Sequence, residues 1–502
     1  MMANEDQVGR KATTTARRKP TNLEAYSTVF FLLLTFGLGA AYGLNYVPLM
    51  VVVAAYAAII AKRCGYTWRE MEAAVGERIG RSVPVITILL AIGFMLGGLM
   101  FSGTLPMLIY YGLQFVSPRW IALCAFLLCC TFSTVTGTSN GSASTAGLAM
   151  MGLAMAMPNV NLGLVAGACY AGSQFGDKLS PLSDTTVLAS LTTDNDIFDH
   201  IVNMSKTVLP AALISIMIYV VIGMNSPTGG TVTSDETAQL LSSLSSMFKF
   251  NVLLLLPVVF IVWGSITQRP STVILFGSGF IAVLIGVLYQ GFSASDAVNV
   301  LYSGFNSKMV LAAHPDFNLE TMSKAAKTLL ERGGIADMNK TFVATWLCFY
   351  FAAIAEKCGC LDVMLDNLMG FVHSTGSLIL TTGIAVVVLI AVGGSSTVAL
   401  LLGGNMFKKK YEEMGVNTLN LSRTLEDFGT GCSGFFPWTS SGILYASVLF
   451  SSNLTFLQYS FFSWLVWIFA IVYGFTGICI QRHPTVKQLA AQREREEIAA
   501  GA

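Results

Sequence analysis

Residues 175–186 read Phe-Gly-Asp-Lys-Leu-Ser-Pro-Leu-Ser-Asp-Thr-Thr and interrupt a long series of apolar blocks. An ionisable residue at the centre of a bilayer costs at least about 2.5 kcal/mol, so acidic residues in this setting indicate a functional site. On an unbroken helix Asp177 and Asp184 would lie about 10 Å apart, too far to bind one small ion together. Pro181 removes a backbone donor and disfavours helical geometry at Ser180, so the segment can open between the two carboxylates.

The opened segment would supply oxygen ligands of the kind that a hard cation prefers. They are free backbone carbonyls and the hydroxyls of Ser180, Ser183, Thr185 and Thr186. We expect residues 178–183 to be non-helical and buried. An alternative stays open, in which Ser180 and Pro181 are the N-cap and first residue of an ordinary helix and the aspartates lie at a wet interface. No histidine or cysteine joins the string, which disfavours a zinc site.

The composition of the whole chain is that of a membrane protein. Of 502 residues, 54% are hydrophobic and only 11% are charged, which argues against a water-soluble enzyme. A spanning helix needs roughly 20 apolar residues, so the chain has room for roughly 10 to 13 membrane helices. Several blocks are shorter than a span and predict interrupted helices and re-entrant hairpins. The 29 basic and 28 acidic residues nearly balance and give no reason to expect a nucleic-acid partner.

The polar strings occur in pairs. In the first half, residues 136–142 precede residues 175–186, and in the second half residues 393–397 precede residues 428–439 at a similar distance. Paired interruptions in corresponding halves indicate a transporter site where two repeats meet. The sequence therefore predicts an all-α polytopic membrane protein with two inverted-repeat halves. The pairing extends the predicted site to Thr138, Ser139, Asn140, Ser395, Ser396 and Thr430, which we expect to face residues 178–183.

Charge and hydropathy predict the linear organisation of the chain. The predicted segments are an N-terminal tail 1–26, a first transmembrane half 27–224, a connecting region 225–340, a second half 341–481 and a C-terminal tail 482–502. Basic residues cluster before the first apolar block, as they do in cytoplasmic segments. We therefore expect a multi-pass protein of the cell (inner) membrane with both termini in the cytoplasm.

Several other polar residues can be interpreted as structural or solvent-exposed residues with no part in function. Lys178 could hold a neighbouring carboxylate ionised, but a long side chain that reaches the membrane interface is favoured slightly. The set Arg423, Glu426 and Asp427 either forms a network on a helix surface or lines a mouth of the protein. His200 is expected to be a solvated loop histidine. Cys358-Gly-Cys360 has no second Cys or His pair near it in sequence, so small hydrophobic thiols are expected there, not a metal clip.

The string from Gly176 to Thr186, with Thr136-Gly137-Thr138-Ser139 upstream, closely resembles the NhaC-type sodium/proton antiporter family, whose relatives include malate/lactate exchangers. Further similar motifs are Ser102-Gly103-Thr104-Leu105-Pro106, Ile109-Tyr110-Tyr111-Gly112, Leu421-Ser422-Arg423-Thr424-Leu425-Glu426-Asp427 and Pro437-Trp438. The resemblance covers about residues 25 to 480. The chain departs from the family pattern at Asn140, Ser395 to Thr397, Gly403 and Thr439.

The resemblance implies a secondary transporter that exchanges sodium or lithium for protons by alternating access, and not an enzyme. Sodium, the one metal expected, would bind at Asp177 and Asp184, with Lys178, Pro181, Asp427 and Pro437 in supporting positions. Burial can raise the pKa of a carboxyl group by up to about 3 to 5 units, so a proton can compete with sodium. No cofactor is expected beyond the transported ions. Expected partners are membrane lipid and a small cation. A homodimer with a second copy of the chain stays open as an alternative to the monomer. The alternative function is sodium- or proton-coupled exchange of a small organic anion such as malate or lactate.

Overall fold

Helices form all the regular secondary structure in the part of the chain that the computed structural model describes, residues 17–42, 44, 46–157, 160–226, 235–267, 269–315, 327, 330–331 and 333–483. The predicted all-α class is therefore confirmed. A helix satisfies its backbone groups internally, which lipid requires of a spanning segment. Most of both predicted tails, residues 1–16 and 484–502, and part of the predicted connecting region, residues 227–234 and 316–326, lie outside the described residues.

The helices follow one another along the chain. Those before residue 200 are α1 (Asn22–Ala41), α2 (Tyr46–Arg63), α3 (Trp68–Phe101), α4 (Thr104–Phe115), α5 (Ile121–Thr136), α6 (Ser139–Ser142), a π-helical turn (Ala143–Gly147), α7 (Leu148–Ala156), α8 (Leu162–Leu179), α9 (Asp184–Thr192) and α10 (Ile197–Asn225). The central ones are α11 (Asp235–Met247), a 3-10 turn (Val252–Leu255), α12 (Leu256–Ile266), α13 (Ser271–Ile285), a π-helical turn (Gly286–Gln290), α14 (Ala294–Ser303) and 3-10 turns at Ser307–Ala312 and Ile335–Met338. The last are α15 (Asn339–Lys357), α16 (Cys360–Met369), α17 (Thr375–Gly393), α18 (Ser396–Glu413), α19 (Thr418–Cys432), α20 (Ser440–Val448), α21 (Asn453–Leu457) and α22 (Phe461–Thr476).

Four helical stretches among the described residues are long and apolar enough to cross a membrane. They are Asn22–Gly39, Ile197–Asn225, Thr272–Gln290 and Thr375–Gly393. Two pairs of shorter helices, bent by 68° and 95°, raise the number to six if each pair is one span. The predicted 10 to 13 membrane helices also include shorter apolar helices, such as Ile121–Thr136 and Phe461–Thr476, which fall below this length, and that number stays a prediction.

The described contacts divide the chain into two units, of which the first comprises residues 1–81 and 346–370. Within it α1 packs against α2 and α16. The carboxylate of Glu356 accepts a hydrogen bond of 2.5 Å from the Arg78 guanidinium. The buried thiols of Cys358 and Cys360 lie 3.1 Å apart. No group of three metal-ligating side chains suited to an ion occurs among the described residues.

The second unit, residues 82–345 and 371–502, contains the same hairpin twice. After α5, Gly137 has φ 67° and ψ 17°, and after α17, Gly394 has φ 67° and ψ 6°. The next residue is extended in both, with φ −137° and ψ 123° at Thr138 and φ −142° and ψ 127° at Ser395. A new helix then begins. The left-handed position favours glycine, so this turn gives the two predicted strings a shared physical cause.

A broken helix accompanies each hairpin. α8 and α9 are separated by residues 180–183, and α19 and α20 by residues 433–439. In the first half α5 packs against α8, and in the second α17 packs against α19. The predicted repetition of interrupted helices is thus present in the geometry, and the inverted orientation of the two halves stays a prediction.

Gly176 sets how closely α5 and α8 approach each other. A Cβ atom there would lie 2.0 Å from the backbone nitrogen of Thr134. We expect Gly176→Ala to push the two helices apart and to lower the free energy of unfolding by about 1 to 3 kcal/mol. The thermal stability of the purified protein in detergent measures this. The matched control is Gly76→Ala, at an exposed helical position with no atom within 4 Å, and an equal loss in both variants would contradict the close-packing account.

Candidate functional site

A cavity of about 440 Å³ lies inside the second unit, where both hairpin turns and both broken helices meet. Its polar lining consists mostly of hydroxyl groups from both halves of the chain. Of the predicted site residues, Thr138, Ser139, Asn140, Asp177, Asp184, Thr185, Ser395, Ser396 and Thr430 line it. The structure therefore brings together the positions that sequence reasoning paired from segments up to about 290 residues apart.

Asp177 lies in the last turn of α8 and is only 3% exposed. Its Oδ1 accepts a hydrogen bond of 2.7 Å from the Ser183 hydroxyl. The backbone carbonyl of Asp177 accepts a bond of 2.8 Å from the Thr186 hydroxyl. A helix C-terminus carries partial negative charge, so the position adds to the attraction of a cation.

The chain opens between the two predicted aspartates. Ser180 has φ −92° and ψ 128° and ends α8, whereas Asp184 is the first residue of α9 and is exposed to the cavity. The N-cap of α9 is Ser183, whose side chain accepts from the Thr186 N–H, so the alternative with Ser180 as N-cap is wrong. The expectation for residues 178–183 was partly wrong too. α8 continues through Leu179 because its last amides still find helical partners, and Leu182 is 46% exposed.

Three predicted residues shape the site without lining the cavity. Ser180 and Ser183 fix the break as helix caps, and Thr186 ties the start of α9 to the end of α8. Pro181 and Pro437 lie in the turns that interrupt the two broken helices. Gly137 approaches Leu182 so closely that a Cβ would lie 2.7 Å from the leucine Cβ, which places the first hairpin turn against the break.

Lys178 does not reach a membrane interface, so the favoured interpretation was wrong. Its side chain is fully buried, and Nζ donates hydrogen bonds to the carbonyl oxygen of Glu426 and, at 2.5 Å, to the Thr430 hydroxyl. These bonds tie the end of α8 to α19 of the other half. The sequence did not show this partner because about 250 residues separate the two segments.

The polar residues of α19 form neither a surface network nor a mouth. Arg423, Glu426 and Asp427 are all fully buried, because α8, α9, α10, α17, α18 and α22 surround this helix. Arg423 donates to the carbonyl of Cys479 at 3.1 Å, and Asp427 accepts from Thr207 at 3.1 Å.

His200 was also expected in solvent. It is fully buried, and its Nδ1 lies 2.8 Å from the Ser422 hydroxyl. His200 lies in the first turn of α10, and α10 packs directly on α19. No local sequence pattern revealed this contact.

Glu426 is the functional candidate that sequence reasoning missed. Its Oε1 accepts a bond of 3.1 Å from Thr185, a residue of the cavity wall, and Oε2 has no hydrogen-bond partner in the described part of the chain. One feature of the sequence could have identified Glu426. Glu426 precedes Thr430 by four residues, so both share one helix face, and Thr430 pairs with Asp177 in the repeat.

Comparison with known proteins bears on the fold and the site together. A family model described as the Na+/H+ antiporter family matches residues 172–478, which include the breaks in both broken helices. An uncharacterised Na+/H+ antiporter of Haemophilus influenzae is 38% identical over 94% of this chain and 99% of its own length. The chain belongs to the Na+/H+ antiporter family. With its apolar helices, this makes it a multi-pass membrane protein.

Two further relatives have names that give different transported species. A malate-2H+/Na+-lactate antiporter of Bacillus subtilis is 31% identical over 86% of this chain and 90% of its own length. A Na+/H+ antiporter NhaC of Alkalihalophilus pseudofirmus is 29% identical over 92% of this chain and 99% of its own length. The predicted resemblance to the NhaC-type family is therefore confirmed.

The residues at which the chain departs from the pattern of this antiporter family form two groups, one that lines the cavity and one that does not. Asn140 and Ser395 to Thr397 line the cavity directly. Gly403 lies away from the cavity, against Leu425 and Val386. Thr439 caps α20 by accepting a hydrogen bond of 3.0 Å from the Gly442 N–H. The first two departures therefore change what a bound species touches, and the last two change the packing and ends of the surrounding helices.

Lys178 should be as important for stability as for the chemistry of the antiporter. Lys178→Met keeps most of the volume but removes both hydrogen bonds and leaves buried carboxylates without their nearest cation. Loss of one partner of a buried charge group costs about 3 to 5 kcal/mol, so we expect a clear drop in thermal stability. Lys409→Met, on the exposed end of α18, is the control. Wild-type stability of Lys178→Met would contradict the buried-charge account.

Proposed function

We propose that this chain exchanges sodium, or lithium, for protons across the cell membrane by alternating access. The observation that carries the proposal is the position of Asp177, a buried carboxylate at a helix break that faces a cavity lined by hydroxyls from both halves. The membership of the Na+/H+ antiporter family supports the same activity. Sodium and the proton are then the transported species, and the chain acts as a transporter without covalent chemistry of its own.

The donor set fits a hard, unpolarisable cation. Asp177 and Asp184 both face the cavity, and Thr138, Ser139 and Thr185 add hydroxyl oxygens to the same wall. Oxygen ligands suit an alkali cation, whereas nitrogen and sulfur ligands suit transition metals. A proton on Asp177 removes the charge that attracts the cation, so binding of one species excludes the other.

Alternating access would follow from the two repeated hairpins. Gly137 lies against Leu182 in the first half, and the carbonyl of Gly394 accepts a hydrogen bond of 3.2 Å from the Ser440 N–H in the second. Each hairpin turn thus contacts the broken helix of its own half, and the cavity lies between the two assemblies. Movement of one assembly against the other would open the site to one side of the membrane at a time. The basic N-terminal residues support a cytoplasmic N-terminus in the cell membrane.

Neutralising Asp177 should abolish exchange. In everted vesicles that carry a pH-sensitive dye, we expect sodium to dissipate the proton gradient with the wild type. With Asp177→Asn the response should fall about 100-fold, because removal of one buried charge partner costs about 3 kcal/mol.

Asp184→Asn should weaken the sodium response less than Asp177→Asn does, since the carboxylate of Asp184 is exposed to solvent in the cavity. Glu412→Gln removes a carboxylate from the exposed side of α18 and controls for the loss of charge alone. Exchange by Asp177→Asn at the rate of Glu412→Gln would contradict the proposal.

A second candidate function is coupled exchange of a small organic anion. The cavity of about 440 Å³ is larger than one dehydrated alkali ion needs and falls within the range of small-molecule sites. Arg269 lies in its wall, and the N-terminus of α18 opens onto it at Ser396. A guanidinium and a helix N-terminus together can attract a carboxylate.

The vesicle assay separates the two functions. A sodium response that needs no added anion supports sodium/proton exchange. A response that appears only with malate or lactate, and that falls at least about tenfold in Arg269→Gln, would favour the second function, since a charge-assisted pair contributes about 1.5 to 3 kcal/mol. Arg119→Gln is the matched control, because Arg119 lies outside the cavity wall.

A further inference from the structure

A continuous series of hydrogen bonds joins Asp177 to Glu426. The Ser183 hydroxyl donates to Asp177 at 2.7 Å, the hydroxyls of Ser183 and Thr185 lie 3.0 Å apart, and Thr185 donates to Glu426 Oε1 at 3.1 Å. Each hydroxyl has one hydrogen, so Thr185 donates either to Glu426 or to Ser183, and it can donate to Ser183 when Glu426 is the protonated partner. Asp177 and Thr185 face the cavity, whereas Glu426 lies behind its wall.

We propose that Glu426 holds the exchanged proton and passes it to the cation-binding carboxylate of Asp177 through the hydroxyls of Thr185 and Ser183. This inference rests on the proposed sodium/proton exchange and assigns to it a proton site separate from the cation site.

The balance of buried charges supports this division. The buried cations Lys178 and Arg423 can balance two of the three buried carboxyl groups, Asp177, Glu426 and Asp427. If all three were ionised, the cluster would carry one excess negative charge, which is costly away from water. One sodium ion at Asp177 or one proton on a carboxyl group removes that excess. The cluster is therefore built to hold one of the two species at a time.

Glu426 is the carboxyl group best suited to carry that proton. One carboxylate oxygen each of Glu426 and Asp427 has no partner in the described residues, so both charges are incompletely compensated. Asp427 accepts from Thr207 on α10, whereas Glu426 is joined to Asp177 through Thr185 and Ser183. Lys178 bonds to the backbone carbonyl of Glu426 and not to its carboxylate. Other ionisable groups facing the site are Asp177 of α8, Asp184 of α9, Arg423 and Asp427 of α19, His200 of α10, Tyr411 of α18 and Tyr473 of α22, while α17 has none.

The transfer conserves every hydrogen. With the proton on Glu426 Oε1, Glu426 donates to Thr185, Thr185 donates to Ser183, and Ser183 donates to Asp177. Three hydrogens then shift by one position, which leaves Asp177 protonated, both hydroxyls intact and Glu426 as a carboxylate near Lys178. Asp177 faces the cavity, so the proton can leave there when sodium binds. The reverse sequence reloads Glu426 after sodium has left.

The decisive experiment compares two modes of transport in proteoliposomes. Glu426→Gln should lose sodium uptake driven by a pH gradient by about tenfold or more, within the range typical of coupling between two linked sites. It should retain exchange of external radioactive sodium for internal sodium at saturating sodium, and its half-saturating sodium concentration should no longer change with pH. Asp177→Asn should lose both modes, and Glu412→Gln should keep both.

Thr185 provides a second variant that separates relay from fold. Thr185→Val removes the hydroxyl at nearly constant volume and should slow gradient-driven uptake more than sodium–sodium exchange, whereas Thr185→Ser should restore it. If Glu426→Gln does not fold, this pair decides, and equal gradient-driven uptake in Thr185→Val and Thr185→Ser overturns the relay. Gradient-driven uptake by Glu426→Gln with wild-type pH dependence overturns it as well.

Failure of the relay can be told apart from failure of the proposed function. If the relay is wrong, the wild type still takes up sodium against a proton gradient and Asp177→Asn does not. If the wild type shows neither sodium–sodium exchange nor gradient-driven uptake, the sodium/proton function is wrong and the relay falls with it.

Discussion

The fold depends on keeping the charge of Asp177 inside protein without an aqueous shell. A buried carboxylate must find compensating donors and charges, or its cost destabilises the folded state. In this chain the compensation requires that α8 stop beside it, so that Ser183 can donate to the carboxylate and Thr186 to the backbone. Such free backbone at membrane depth is tolerated only where protein or a water-filled cavity surrounds it. The break between α8 and α9 meets that requirement, and the cavity lies beside it.

The local features of the site could be predicted from sequence because their causes are local. Pro181 ends regular hydrogen bonding, and a glycine before an extended residue makes the same turn at Gly137 and Gly394. Polar residues next to such breaks therefore supply nine of the residues that line the cavity. The predicted start of the break at residue 178 was wrong, because α8 extends to Leu179 for as long as its amides find helical partners.

The partners of the site could not be predicted, because packing between distant segments decides them. Lys178 and Glu426 are about 250 residues apart, and nothing near either one indicates their contact. The i, i+3, i+4 spacing of Arg423, Glu426 and Asp427 suits a solvated helix surface equally well. Only the ring of helices around α19 turns these charged side chains into a buried cluster.

Direct measurement of proton release on sodium binding tests the central claim without transport. Purified protein in weakly buffered detergent solution would be titrated with sodium chloride while a soluble dye follows the pH, with choline chloride as the control for ionic strength. The account predicts that sodium acidifies the solution saturably and that choline does not, because sodium and the proton neutralise the same buried charge. Saturable sodium binding without any release of protons would contradict it.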